Sequence, residues 1–201
     1  MSEKQAVADS DDFILEDYLN ADGDPNGRFD DDTTILMSAY SRRQVIAVIG
    51  RGGRVNDVDS QGRNALHHAV GHDYELVEAL LDAGIPVDSR CNLGRTALHY
   101  ACIDEMGDSR VIEILLDSGA RINAIDMKGR TPVMYAAEIG SEDRVIALHK
   151  HGADFQLKDF ENQTVSDFSS NCDELIDALM HRSPNDPALP DIIWELVDRD
   201  Y

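Results

Sequence analysis

The chain has 201 residues, 42% of them hydrophobic, with 39 acidic side chains against 18 basic ones and a net charge of −21. This is enough for one cored domain, and such an acidic chain is repelled by nucleic acid and anionic membrane surfaces while attracting basic proteins and cations. Three cysteines (Cys91, Cys102, Cys172) without a Cys-x-x-Cys argue against a disulfide framework or zinc site and for a reducing compartment; with no apolar run of signal-peptide or membrane-span length, a cytoplasmic protein is expected.

Residues 1–32 read as an acidic arm. Asp11 to Asn20 is predicted as a short helix, with Phe13, Ile14, Tyr18 and Leu19 on one face and Asp11 or Asp12 as its cap. Such a helix would cover the apolar end of the structure that follows. Next comes Asp22-Gly-Asp24-Pro-Asn26-Gly-Arg-Phe-Asp30-Asp-Asp32. Oxygen-bearing side chains separated by single residues, then a glycine, match the first half of an EF-hand loop, which makes Asp22, Asp24, Asn26 and Asp30 candidate calcium ligands. The closing bidentate Glu is missing: Thr33 stands in its place. The alternative is an acidic loop built from ordinary turn residues.

Residues 33–182 repeat. Asn64-Ala-Leu-His-His-Ala69, Thr96-Ala-Leu-His-Tyr-Ala101 and Thr131-Pro-Val-Met-Tyr-Ala136 are each preceded by Gly-Arg, with weaker copies at Thr34 and Thr164. Spacings of 30, 32, 35 and 33 residues between the opening positions indicate a solenoid. In each unit a glycine supplies a positive-φ turn, and Thr or Asn caps a short helix, expected over 65–70, 97–102 and 132–139. An amphipathic second helix follows, with Leu76, Val77, Leu80 and Leu81 in one unit and Val111, Ile112, Leu115 and Leu116 in the next. Gly84, Gly119 and Gly152 end these helices. No unit can bury its apolar stripe alone, so the units must stack.

These units resemble ankyrin repeats. Asp126-Met-Lys-Gly-Arg-Thr-Pro132 and Asp59-Ser-Gln-Gly-Arg-Asn64 match the first half of that signature, and Ile112-Glu-Ile-Leu-Leu-Asp-Ser-Gly-Ala-Arg-Ile-Asn123 matches the second. The resemblance implies an all-α solenoid of about five helix-turn-helix units with short β-hairpin-like turns, capped by extra helices at both ends. The units fall at about 33–58, 59–90, 91–125, 126–158 and 159–182. It also implies that the rings of His67 and His99 bond backbone between neighbouring turns. The third unit carries an insertion near Asp104 to Ser109, and the fifth lacks the Gly-x-Thr-Pro.

In the tail, 183–201, three prolines precede Ile192, Ile193, Leu196 and Val197, a helical stripe expected to cap the last unit or to dock in a partner's groove. No catalytic motif emerges, so no enzyme is expected. The ankyrin likeness implies non-enzymatic recognition of a specific protein partner through the concave surface, as an adaptor or scaffold. The candidate partner-binding residues are the turn tips Arg63, Leu93, Arg95, Met127, Lys128, Arg130 and Phe160, with Tyr100 and Tyr135 from the first-helix column. The plain alternative for the three arginines is pairing with neighbouring carboxylates. The alternative function is an acidic inhibitor or immunity-type protein that neutralises a basic enzyme or toxin.

Overall fold

The computed structural model describes residues 18–19, 21–30, 32–104, 107–169, 172–191 and 193. The predicted helix over 11–20 lies outside them apart from Tyr18 and Leu19, and the tail helix lies outside them beyond Asp191 apart from Ile193.

The helices come in pairs. Second helices are α1 (Arg42–Gly50), α3 (Tyr74–Asp82), α5 (Arg110–Asp117), α7 (Glu142–Lys150) and α8 (Asp173–Met180). First helices are α2 (Ala65–Ala69), α4 (Ala97–Ile103) and α6 (Pro132–Glu138), flanked by 3-10 turns at Leu36–Ser38 and Val165–Asp167. The end units form only a single tight turn here; Ser38 stands where the central units have His68, Tyr100 and Tyr135, Asp167 where they have His67, His99 and Met134, and Ser169 where they have Ala, and these side chains compete for backbone hydrogen bonds. Among the described residues no strand forms, only an isolated antiparallel bridge between Arg28 and Thr34.

The stacking follows from the apolar pattern. First helices pack on first helices and second helices on second helices, α1 on α3 on α5 on α7 on α8. Leu80, Leu115, Leu148 and Leu179 are all fully buried and belong to one shared core. Ala69, Ala101, Ala136 and Ala137 are buried too, and their small side chains let the first helices approach closely. The ends are covered: Leu19 and Leu189 are buried in the same core, and Ile193 packs against it. No helix of the described residues is long and apolar enough to cross a membrane.

The insertion in the third unit is anchored from the fourth. Arg144, on α7, is buried, and its guanidinium donates to the carbonyls of Asp104 and Gly107. A fixed cation thus satisfies backbone acceptors that the longer loop would otherwise leave bare.

Because the seam is continuous, damage at its middle should be felt by the whole array. Leu115→Ala is expected to cost about 2–5 kcal/mol in urea unfolding; a loss well under 1 kcal/mol would mean that the units do not share this interior.

Candidate partner-binding face

The turns between units repeat to the residue. Two positions before each capping Thr or Asn stands a left-handed residue: Gly62, Gly94 and Gly129 in the middle, and Asp32 (φ 63°) and Asn162 (φ 65°) at the ends. Asp and Asn are the non-glycine residues that best tolerate this conformation. Each tip then bonds the one before it. The N–H of Asn92 donates to the Gln61 carbonyl (2.8 Å), Met127 to Leu93 (2.9 Å) and Phe160 to Lys128 (2.9 Å). The side chains of Met127 and Phe160 lie over Gly94 and Gly129; a Cβ would be crowded against Met127 at the first and would collide with the Phe160 ring at the second. Leu93, Met127 and Phe160 are 52%, 68% and 72% exposed, so the tips present a row of apolar side chains to solvent.

Behind the tips runs a column of buried carboxylates, Asp59, Asp126 and Asp159. One oxygen of each accepts two backbone N–H groups of its own turn: from Gln61 and Arg63, from Lys128 and Arg130, and from Glu161 and Gln163. The other oxygen faces the arginines. Arg95 reaches forward to Asp126 (3.4 Å) and Arg130 to Asp159 (3.6 Å), so each arginine ties its unit to the next. Tyr135 donates its hydroxyl to Asp126 (2.6 Å). Burial pushes the Asp59 and Asp126 carboxyls up, but the hydrogen bonds they accept outweigh it and hold both below the ordinary range.

The column breaks at the third unit, where Cys91 occupies the aspartate position. Its Sγ accepts the Leu93 N–H at 3.4 Å and lies 3.5 Å from the Tyr100 hydroxyl. With no carboxylate ahead of it, Arg63 folds back onto Asp59 of its own turn (2.8 Å), which it shares with His68 (3.0 Å).

His67 and His99 do not face the surface. The Nε2–H of each donates to a carbonyl of the next unit, Arg95 and Arg130 respectively, both at 3.1 Å. Nδ1 accepts the N–H of the capping residue, Asn64 or Thr96. Each ring is thus a neutral link between units. Burial lowers the pKa of both, to about 4 for His99, and also lowers that of His149. In the first and fourth units Met37 and Met134 take the histidine's place, their sulfurs accepting the cap N–H.

The Asp22–Asp32 loop follows the same register. Gly52, Gly84, Gly119 and Gly152 end second helices at φ near 90°, and Asp22 (φ 59°) stands where the preceding unit would carry that glycine. The N–H after each bonds the carbonyl five residues before it: Gly23 to Tyr18, Gly53 to Val48, Ile85 to Leu80, Ala120 to Leu115 and Ala153 to Leu148. Asn26 accepts the Arg54 N–H (2.8 Å), as Asp88 accepts that of Arg121 and Asn123 that of Asp154. Its amide also donates to the Gly52 carbonyl. Asp24 accepts the Asn26 N–H, and Asp30 is exposed. Among the described residues no three His, Cys, Asp or Glu side chains gather where they could hold a metal ion. The stretch that suggests a calcium loop thus carries the same backbone bonds as the later turns, with Asn26 committed to the unit that follows.

Of the candidate partner-binding residues, Leu93, Met127, Lys128 and Phe160 are exposed. Arg63, Arg95, Arg130 and Tyr100 are half-buried, the arginines paired as the plain alternative expects. Tyr135, expected on the surface, is only 4% exposed. Arg95 lies over its ring at 4.8 Å, and Arg130 covers Phe168 at 4.3 Å in the same way. The aspartate column was not anticipated from sequence, although a fixed offset of five residues before the cap marks it.

An ankyrin-repeat family model matches the chain in three overlapping copies, over 5–91, 36–126 and 74–159. No curated protein matches it.

Two outcomes follow from this geometry. The buried neutral histidines bind protons less readily folded than unfolded, so their share of stability is complete above about pH 6.5 and declines as pH falls towards about 4. For His99 the loss is on the order of 3 kcal/mol; melting temperature against pH should be flatter across that window in His99→Gln. Cys91→Asp should restore the missing carboxylate between Arg63 and Tyr100 and raise stability by roughly 1–3 kcal/mol in denaturant titration at neutral pH, whereas a loss would show that those donors do not reach it.

Proposed function

The chain belongs to the ankyrin repeat family, and on that premise we propose that it is a non-enzymatic interaction module, an adaptor or scaffold that holds one protein partner against its turn tips and first-helix column. The observation that carries this reading is the row of Leu93, Met127 and Phe160. Three large apolar side chains stand in water at the tips of successive turns: Met127 and Phe160 at equivalent positions, each fixed by its own N–H to the turn before, and Leu93 one residue further along its tip, its carbonyl accepting the Met127 N–H. Scattered exposed apolar residues need no explanation, but an aligned row on rigid supports is a contact surface. The titratable groups behind it support the same view. Asp59, Asp126, His67 and His99 are all engaged in hydrogen bonds that hold the turns, so none stands ready to exchange a proton with a substrate.

The net charge of −21 favours a second reading, an acidic inhibitor or immunity-type protein that neutralises a basic enzyme or toxin. The two differ in where the energy resides. With a partner captured by the chain, Met127→Glu combined with Phe160→Glu is expected to weaken the complex tenfold or more, about 1.4 kcal/mol, with little change between low and high salt. Binding that survives the double substitution and collapses at high salt would favour charge neutralisation instead.

A further inference from the structure

Within this acidic molecule the tips of the third and fourth units are locally basic. Arg90, Arg95, Lys128 and Arg130 lie there; the one acid within 90–95 and 125–130, Asp126, is buried, and Asp88, two residues before Arg90, is paired with Arg121. Arg95 is paired with Asp126, and Arg130 with Glu138 and Asp159. Arg90 and Lys128 are exposed, and no carboxylate pairs with either among the described residues. Arg90 is fixed in place nonetheless, its Nη1 donating to the carbonyls of Gly94 (2.9 Å) and Ile125 (2.5 Å). Ile125, Leu93 and Met127 are exposed beside them. A cation held by backbone rather than by a carboxylate, as Arg90 is, keeps its charge available, and Arg90 and Lys128 alternate with apolar side chains along the tips.

We propose that this patch receives an extended, acidic and apolar segment of the partner, with Leu-, Ile- or Phe-like side chains against Leu93, Ile125 and Met127 and carboxylates against Arg90 and Lys128. The assignment rests on the interaction-module reading above and specifies its partner. Charge complementarity selects the occupant. A basic segment would place like charges against Arg90 and Lys128. A nucleic acid would meet the acidic remainder of the chain along its whole length, whereas a peptide can confine its carboxylates to the patch. Peptide side chains also supply the apolar contacts that phosphates lack.

The test is a selection of random linear peptides displayed on phage against the full chain, followed by affinity measurements with the enriched peptides. Enriched sequences should interleave Asp or Glu with Leu, Ile, Met or Phe. Arg90→Glu with Lys128→Glu should weaken them tenfold or more, about 1.4 kcal/mol, and a peptide with its acids changed to Lys should bind that variant better than it binds the natural chain. Both residues are exposed, and an unchanged circular-dichroism melt checks that the variant folds. A Lys- or Arg-rich consensus, equal binding to the variant, or no enrichment at all overturns the proposal. A basic consensus that still requires Leu93 and Met127 removes only the acidic assignment. Enriched peptides whose binding ignores Leu93→Ser and Met127→Ser remove the interaction-module reading as well.

Discussion

None of these units has an interior of its own. Each contributes a narrow apolar stripe, and only its neighbours' stripes keep that stripe dry, so Leu80, Leu115, Leu148 and Leu179 form one seam through the whole array. Everything on the side of the turns depends on this constraint. The seam sets the stacking, the stacking sets the spacing of the turns, and that spacing lets a tip N–H meet the carbonyl of the tip before it. Apolar side chains can then be held out in water without collapsing onto the protein, because the backbone beneath them is tied and a glycine of the preceding turn lies against them.

Polar links give the stack its register. Asp59, Asp126 and Asp159 each tighten their own turn with two accepted N–H groups, and Arg95 and Arg130 carry the tie into the next unit. His67 and His99 make a second tie and are neutral because their two nitrogens have opposite duties. These groups are buried or half-buried, which separates them from the surface pairs that contribute little. The same links tie the turns into a rigid platform from which the exposed tips project.

Much of this was legible in the sequence. The Thr-Ala-Leu-His-Tyr-Ala copies, with their glycines and leucine pairs, gave the repeat, its helices and the exposed tips, because local capping and turn chemistry dictate them. What was not legible has physical causes. At Asp22 to Asp30 the likeness to the later turns is hard to see because an aspartate in a left-handed conformation stands where later units use glycine. Tyr135 belongs to the first-helix column, yet arginines of two units lie over its ring and its hydroxyl is bonded to Asp126, which no periodicity reports. The carboxylate column itself is hard to see because Cys91 interrupts it in the middle copy.

That interruption has a consequence for motion. At the junction of the second and third units the forward arginine bridge is missing, because Cys91 replaces the carboxylate. Between the same two turns, 52–64 and 84–96, the clasp that Asn26, Asp88 and Asn123 make elsewhere is missing too: Pro86 stands where Arg54, Arg121 and Asp154 supply an N–H, and proline has none. The junction keeps the His67 link and the tip bonds at Asn92. A linear array yields first at its weakest coupling, so amide hydrogens flanking this boundary would trade with solvent ahead of those between the third and fourth units, and the curvature of the array would flex about this point as a hinge between two stiffer halves.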